Sequence, residues 1–222
     1  MITAFYKAIG FVRLVVHFLS PKNRRVLNET ISSLMNREDY KKEKTFVMMT
    51  GFSKSGKTYV VENNSSLRNF YRVSTDKIHD LINNNFDFLK DDNRVNGRAY
   101  WERQYLTKIV RRRLIDEALK EGIAIVNDSC NLSKSLREKN LHKAKKYGYQ
   151  TVLIWVLCSE SELLERLHQA DEENIKSGKK PTWDSLYKMQ KKIFYNGNEP
   201  DNNEADRFII VLSPMDDPMR VY

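Results

Sequence analysis

Eight consecutive residues, Gly51, Phe52, Ser53, Lys54, Ser55, Gly56, Lys57 and Thr58, have the types and spacing to hold a chain of phosphates. Glycines at 51 and 56 permit a tight backbone that turns several N–H groups inward, and a helix starting beside them adds the partial positive charge of its N-terminus. Lys57 places a point charge on the outer phosphates, and Thr58 offers a hydroxyl that can ligate a magnesium ion bridging them. Phe52, Ser53, Lys54, Ser55 and Tyr59 complete the stretch expected to touch the bound group. The pattern GxxxxGK[ST] directly follows an apolar run, TFVMMT at 45–50, and precedes residues able to start a helix, which is the context such a loop requires. A Gly/Ser turn carrying a surface lysine is the bland alternative.

Five short apolar runs must position this loop: TFVMMT (45–50), FYRVS (70–74), IAIVN (123–127), TVLIWVL (151–157) and RFIIVL (207–212). Each has strand length, and helical stretches separate them. Runs apolar on both faces, alternating with helices, predict a parallel sheet covered on both sides, an α/β three-layer domain. Two helical patterns, 160–170 and 183–194, are joined by the polar, basic, Gly/Pro-marked segment 170–182, which reads either as a surface loop or as a mobile lid. Before the sheet, residues 4–19 form an amphipathic pattern, and 22–42 resume helical spacing through Leu27, Ile31 and Leu34. The charged run from Tyr40 to Lys44 is the best boundary, giving a helical extension over 1–44 and a domain over 45–222. The first stretch lacks the unbroken apolar length of a spanning helix and the cleavage pattern of a secretory signal. Its apolar face is expected to pack on its own domain or a partner subunit, with an interfacial membrane contact as the second choice.

Thirty-eight Lys and Arg against 29 Asp and Glu leave a net charge of +9, which favours phosphate-bearing partners. Cys130 and Cys158 stand in unrelated contexts, which excludes a disulfide scaffold and a structural zinc site and suits a reducing cytoplasm. No NKxD tetrapeptide is present, which argues against a GTP-selective switch, and the chain is short for a motor or ring ATPase.

With these features in view, the stretch from Thr45 to Leu212 resembles the polynucleotide 5'-hydroxyl kinase and zeta-toxin-like branch of the P-loop kinases. The resemblance implies a three-layer P-loop kinase fold with a parallel five-stranded sheet after an N-terminal helical extension, and a lid at about 166–183. It rests on the phosphate loop and three further segments. The run from Tyr71 to His79 matches a strand whose following Asp, here Asp76, receives the proton of the attacking hydroxyl; His79 stands where the family has an arginine holding the acceptor. Asp76 can equally be only the cap of the next helix. In Asp128-Ser129-Cys130-Asn131, ahead of Arg137, the resemblance makes Asp128 a metal or site-orienting carboxylate and Asn131 and Arg137 acceptor-lining residues, whereas turn chemistry alone also explains Asp and Asn there. Arg166 matches the first lid arginine, catalytic through its grip on donor phosphates, or else forms an i,i+4 pair with Glu162. The second lid arginine is missing, and Lys176, Lys179 and Lys180 occupy the segment.

The resemblance therefore implies a cytoplasmic enzyme using ATP and Mg²⁺ to phosphorylate a hydroxyl, with Lys57, Asp76 and Arg166 as its catalytic residues. The expected acceptor is a polynucleotide 5'-hydroxyl, and the alternative is a nucleoside, sugar or antibiotic hydroxyl. A rival of another class is an ATP-binding interaction protein without phosphoryl transfer. Arg111, Arg112 and Arg113, near Tyr100, Trp101 and Tyr105, are read as a solvated helix face or, second, as a path for single-stranded nucleic acid.

Overall fold

The computed structural model describes residues 20–35, 40–86, 98–178 and 181–213. Five strands form one sheet: β1 (Thr45–Thr50), β2 (Tyr71–Ser74), β3 (Ile125–Asp128), β4 (Gln150–Leu157) and β5 (Arg207–Leu212). Their spatial order is β2-β3-β1-β4-β5, parallel throughout, as the sequence predicts. All six residues of β1 are buried, since a central parallel strand is covered on both faces. On one face Val47, Met49, Val126, Ile154 and Val156 join Val60 and Val61 of helix α2 (Lys57–Asn63) in a single apolar cluster. Alternation sends Phe46, Met48, Ile125 and Leu153 to the other face, all fully buried. Because the chain leaves β1 for β2, beyond β3 on one side, whereas the neighbouring β4 leads on to β5 on the other, the carboxyl end of β1 lies at a topological switch point, where open α/β sheets bind ligands.

Seven helices accompany the sheet among the described residues: α1 (Pro21–Met35), α2, α3 (Thr75–Asn85), α4 (Arg98–Glu121), α5 (Lys134–Lys146), α6 (Glu160–Lys176) and α7 (Trp183–Phe194). The chain divides into two compact units. One combines the described residues of 1–39 with 73–121, and the other combines 40–72 with the described residues of 122–222. In the first, α1, α3 and α4 pack on one another, burying Leu27, Ile31, Ile78, Ile82, Leu106, Val110 and Leu114. Helix α1 realises the apolar spacing of Leu27 and Ile31, while the amphipathic stretch 4–19 lies outside the described residues. No helix among those described is long and apolar enough to cross a membrane.

The joint between the last two helices is shorter than its composition suggests. Helix α6 continues to Lys176, since residues 171–176 contain no helix breaker, and it ends where Gly178 adopts φ 75°. The Asp171 carboxylate then accepts backbone N–H groups from Thr182, Trp183 and Asp184, at 2.7, 3.1 and 3.3 Å, and so caps α7 from the neighbouring helix. Burial works against its charge, but these N–H groups hold its carboxyl below the ordinary range. Lys179 and Lys180, expected in the lid, lie outside the described residues.

Arg137 corrects an expectation. Its side chain is 0% exposed, and every guanidinium N–H is consumed: Nε and Nη2 donate to the Glu204 carboxylate at 2.7 Å each, Nη1 to the Asn131 and Leu132 carbonyls, and Nη2 also to the Asn198 carbonyl. No donor remains for an acceptor, so this arginine ties α5 and the loop after β3 to the segment before β5. Arg137→Ala should cost about 3–5 kcal/mol, because it strands a buried carboxylate, whereas the double replacement Arg137→Met/Glu204→Leu should recover most of that loss. Urea unfolding of the three chains checks this, and a double variant as unstable as the single one counts against it.

Candidate active site at the end of strand β1

The loop after β1 is shaped by backbone constraints before any side chain acts. Gly51 has φ 144°, and a Cβ there would stand 2.6 Å from the Val156 carbonyl oxygen of β4, so only glycine lets the loop lie against that strand. Its N–H donates to the Cys130 carbonyl at 3.1 Å. The Thr50 hydroxyl donates to the carbonyls of Cys130 and Asn131, each at 3.2 Å, and Asn131 Nδ2 returns a bond of 2.7 Å to the Met49 carbonyl. Buried, with φ 41° and its amide turned into the backbone, Asn131 fits the turn reading rather than the acceptor-lining one. Gly56, at φ 92°, is the N-cap of α2, and Lys57 and Thr58 open that helix.

Lys57 is 7% exposed, and its Nζ donates to the Phe52 carbonyl at 2.5 Å and the Ser55 hydroxyl at 3.4 Å. Both partners are neutral, so the ammonium charge stays available within the loop. The loop's outer side is fastened to the α6–α7 hairpin. Phe52 packs into a cluster with Leu163, Leu167, Tyr187 and Trp183, its ring 5.0 Å from that of Phe194. Gln190 of α7 grips Ser53 twice, accepting its N–H at 3.0 Å and donating to its hydroxyl at 2.7 Å. Lys54 Nζ lies 4.9 Å from the Trp183 ring centroid. Arg166 forms the i,i+4 pair with Glu162 through Nη2, while Nη1 donates to the Lys54 carbonyl at 3.2 Å and the Ser213 hydroxyl at 2.9 Å. Tyr59 stands half exposed on the first turn of α2.

Thr58 and Asp128 are brought together from 70 positions apart, the Thr58 hydroxyl 3.5 Å from Asp128 Oδ2. Arg72 of β2 completes the group, donating to that same oxygen through Nε at 2.9 Å and Nη2 at 2.6 Å, and to Glu62 through Nη1 at 2.7 Å. Arg72 and Gln190 were not singled out by sequence. Arg72 carried a signal, a lone charge inside an apolar strand; Gln190, on an amphipathic helix, carried none.

Asp76 and His79 belong to the other compact unit, on α3. The cap of that helix is Ser74, whose hydroxyl accepts the Lys77 N–H, so Asp76 is an exposed carboxylate in the first turn without capping duty. His79 is half buried, and its Nε2 has no hydrogen-bond partner among the described residues. Burial lowers its pKa from the ordinary value, with Asp76 pulling the other way and Arg103 adding to the drop. In the basic run, Arg112 pairs with Asp116 at 3.8 Å and Arg113 donates to Asn28 of α1 at 3.0 Å.

Residues 46–192 match the AAA domain family. The chain belongs to that family. Its fold is that of the P-loop kinases. A structure from the PezAT chromosomal toxin-antitoxin system of Streptococcus pneumoniae superposes with a TM-score of 0.63 at 13% identity, over 86% of this chain and 76% of that one. A protein of Chloroflexus aurantiacus assigned as a kinase gives a TM-score of 0.56 at 15% identity, over 79% of this chain and 88% of its own. No curated protein matches the sequence.

The grip of Gln190 on the AAA-family loop is open to a direct check. Losing the acceptor of one N–H is worth about 1 kcal/mol, so Gln190→Ala should speed hydrogen exchange at the Ser53 amide by about fivefold or more. Amides in β1 should be unaffected. Residue-resolved exchange measures both, and an unchanged Ser53 rate would mean that the loop holds its shape without α7.

Proposed function

We propose that this chain is an ATP- and Mg²⁺-dependent kinase that transfers the γ-phosphoryl group to a hydroxyl acceptor. The observation that carries the reading is the meeting of the Thr58 hydroxyl and the Asp128 carboxylate 3.5 Å apart, beside a buried lysine held only by neutral groups. A hydroxyl and a carboxylate at that spacing suit a hard cation that takes its other ligands from phosphate and water, and no group of three or more His, Cys, Asp or Glu gathers into an all-protein cage among the described residues. Thr58 and Asp128 would hold magnesium, which would neutralise charge between the outer phosphates.

The remaining roles follow from position. The loop N–H groups and Lys57 orient the donor, and Arg166, already hydrogen-bonded to the loop backbone, stabilises charge as it develops on the transferred group. Asp76 accepts the acceptor's proton; its exposure and its freedom from capping support that role. We assign the kinase domain to 45–222 with a lid at about 166–183, the segment 1–44 to a helical extension, and the protein to the cytoplasm.

A polynucleotide 5'-hydroxyl is our first acceptor, on the net charge of +9 and the resemblance of the motifs. One observation favours a small-molecule hydroxyl instead: Arg112 and Arg113 are engaged within their own unit, which leaves less free charge along α4 for a strand. Incubation with γ-labelled ATP and a panel of 5'-hydroxyl oligonucleotides, nucleosides and sugars separates the two. Labelled product should fall about 10²- to 10³-fold in Lys57→Ala. Asp76→Asn should lose turnover while keeping affinity for a non-hydrolysable ATP analogue within a few-fold, as expected of a group that serves the acceptor. Label transfer that survives Lys57→Ala would overturn the donor site.

A further inference from the structure

Asp128 is already occupied by a cation of the protein's own. Its side chain is 4% exposed, and Arg72, at 16%, directs two of its N–H groups to the one oxygen that faces Thr58. The third bond of the fork, to the exposed Glu62, holds the guanidinium from its far side, so the arginine is fixed at both ends. A planar fork gripped in this way keeps its position better than an ammonium would.

We propose that Arg72 is an internal counter-ion that balances Asp128 in the unliganded protein and makes metal binding conditional on nucleotide. The inference rests on the kinase reading only in taking Thr58 and Asp128 as the metal-bearing pair. A bare dication approaching Thr58 meets a carboxylate whose charge is already balanced, with a guanidinium hydrogen-bonded to the same oxygen. Coulomb repulsion between a dication and a fixed cation a few Å apart in a partly buried site outweighs what one hydroxyl and one shared carboxylate oxygen offer. A triphosphate changes that balance, because it brings several negative charges and oxygen ligands of its own. The metal thus enters with the nucleotide and does not fill the site beforehand. Arg72 is a positioning residue in this scheme, acting through Asp128 and not on the transferred group.

The test uses Mn²⁺ alone as the probe, counted by its paramagnetic signal in the full chain without nucleotide. Wild type should bind it weakly. Arg72→Gln should bind it about tenfold or more tightly, since one opposing charge is gone. Arg72→Lys, which keeps the charge, should stay within a few-fold of wild type, and Arg72→Gln/Asp128→Asn should lose the gain, a pattern that a purely structural arginine would not produce. A second measurement needs no variant: the thermal midpoint of wild type should be unmoved by Mn²⁺ alone and raised by Mn²⁺ with a non-hydrolysable ATP analogue. Tight Mn²⁺ binding by wild type without nucleotide, or no gain in folded Arg72→Gln, overturns the proposal. Failure of the kinase reading has a different signature, namely wild type that binds neither the analogue nor the metal with it.

Discussion

Everything at the end of β1 depends on how closely the loop after it can lie against β4. The Val156 carbonyl leaves no room for a Cβ at Gly51, so only a residue without that side chain lets the backbone turn there. Such a loop has few contacts of its own, so its neighbours hold it. Cys130 and Asn131 fasten it on the β3 side, and Gln190 and Arg166 fasten it on the side of the α6–α7 hairpin. The hairpin in turn owes its register to Asp171, which caps α7 across the connecting segment. A carboxylate at 171 thereby helps decide where the amide of residue 190 meets the loop.

Three cations in the same unit, two buried and one partly so, differ in how their partners offset their charge. Arg137 has spent every donor on a buried carboxylate and three carbonyls, and it is a piece of the scaffold. Lys57 is nearly as well enclosed, yet its partners are a carbonyl and a hydroxyl, so its charge is uncancelled and directed at the loop's interior. Arg72 lies between these cases, with one carboxylate buried at the site and the other in solvent. Desolvation penalises all three, and the compensation each one receives shows what it is held there for.

The loop, the Thr58–Asp128 pair and Arg166 share one compact unit, while Asp76 and His79 stand on α3 in the other. One of the chain's three passages between the units falls within β2, where Arg72 belongs to the loop's unit and the strand then runs directly into α3.

The sequence by itself determined the strand runs, their alternation with helices and the phosphate loop, because burial on both faces and a fixed local spacing leave marks within a few residues. It also brought out Asp128, Asn131, Arg137 and Arg166 as polar residues at informative places. Their employment was decided only by tertiary structure, since it depends on partners tens of positions away. Arg137 became scaffold because Glu204, 67 residues on, folds against it, and Asn131 became a backbone tie because Met49 ends beside it. The cap of α3 fell to Ser74 and not to Asp76. Gln190 left no trace in the sequence at all, because a polar residue on an amphipathic helix looks the same whether it meets water or, as here, the N–H of Ser53.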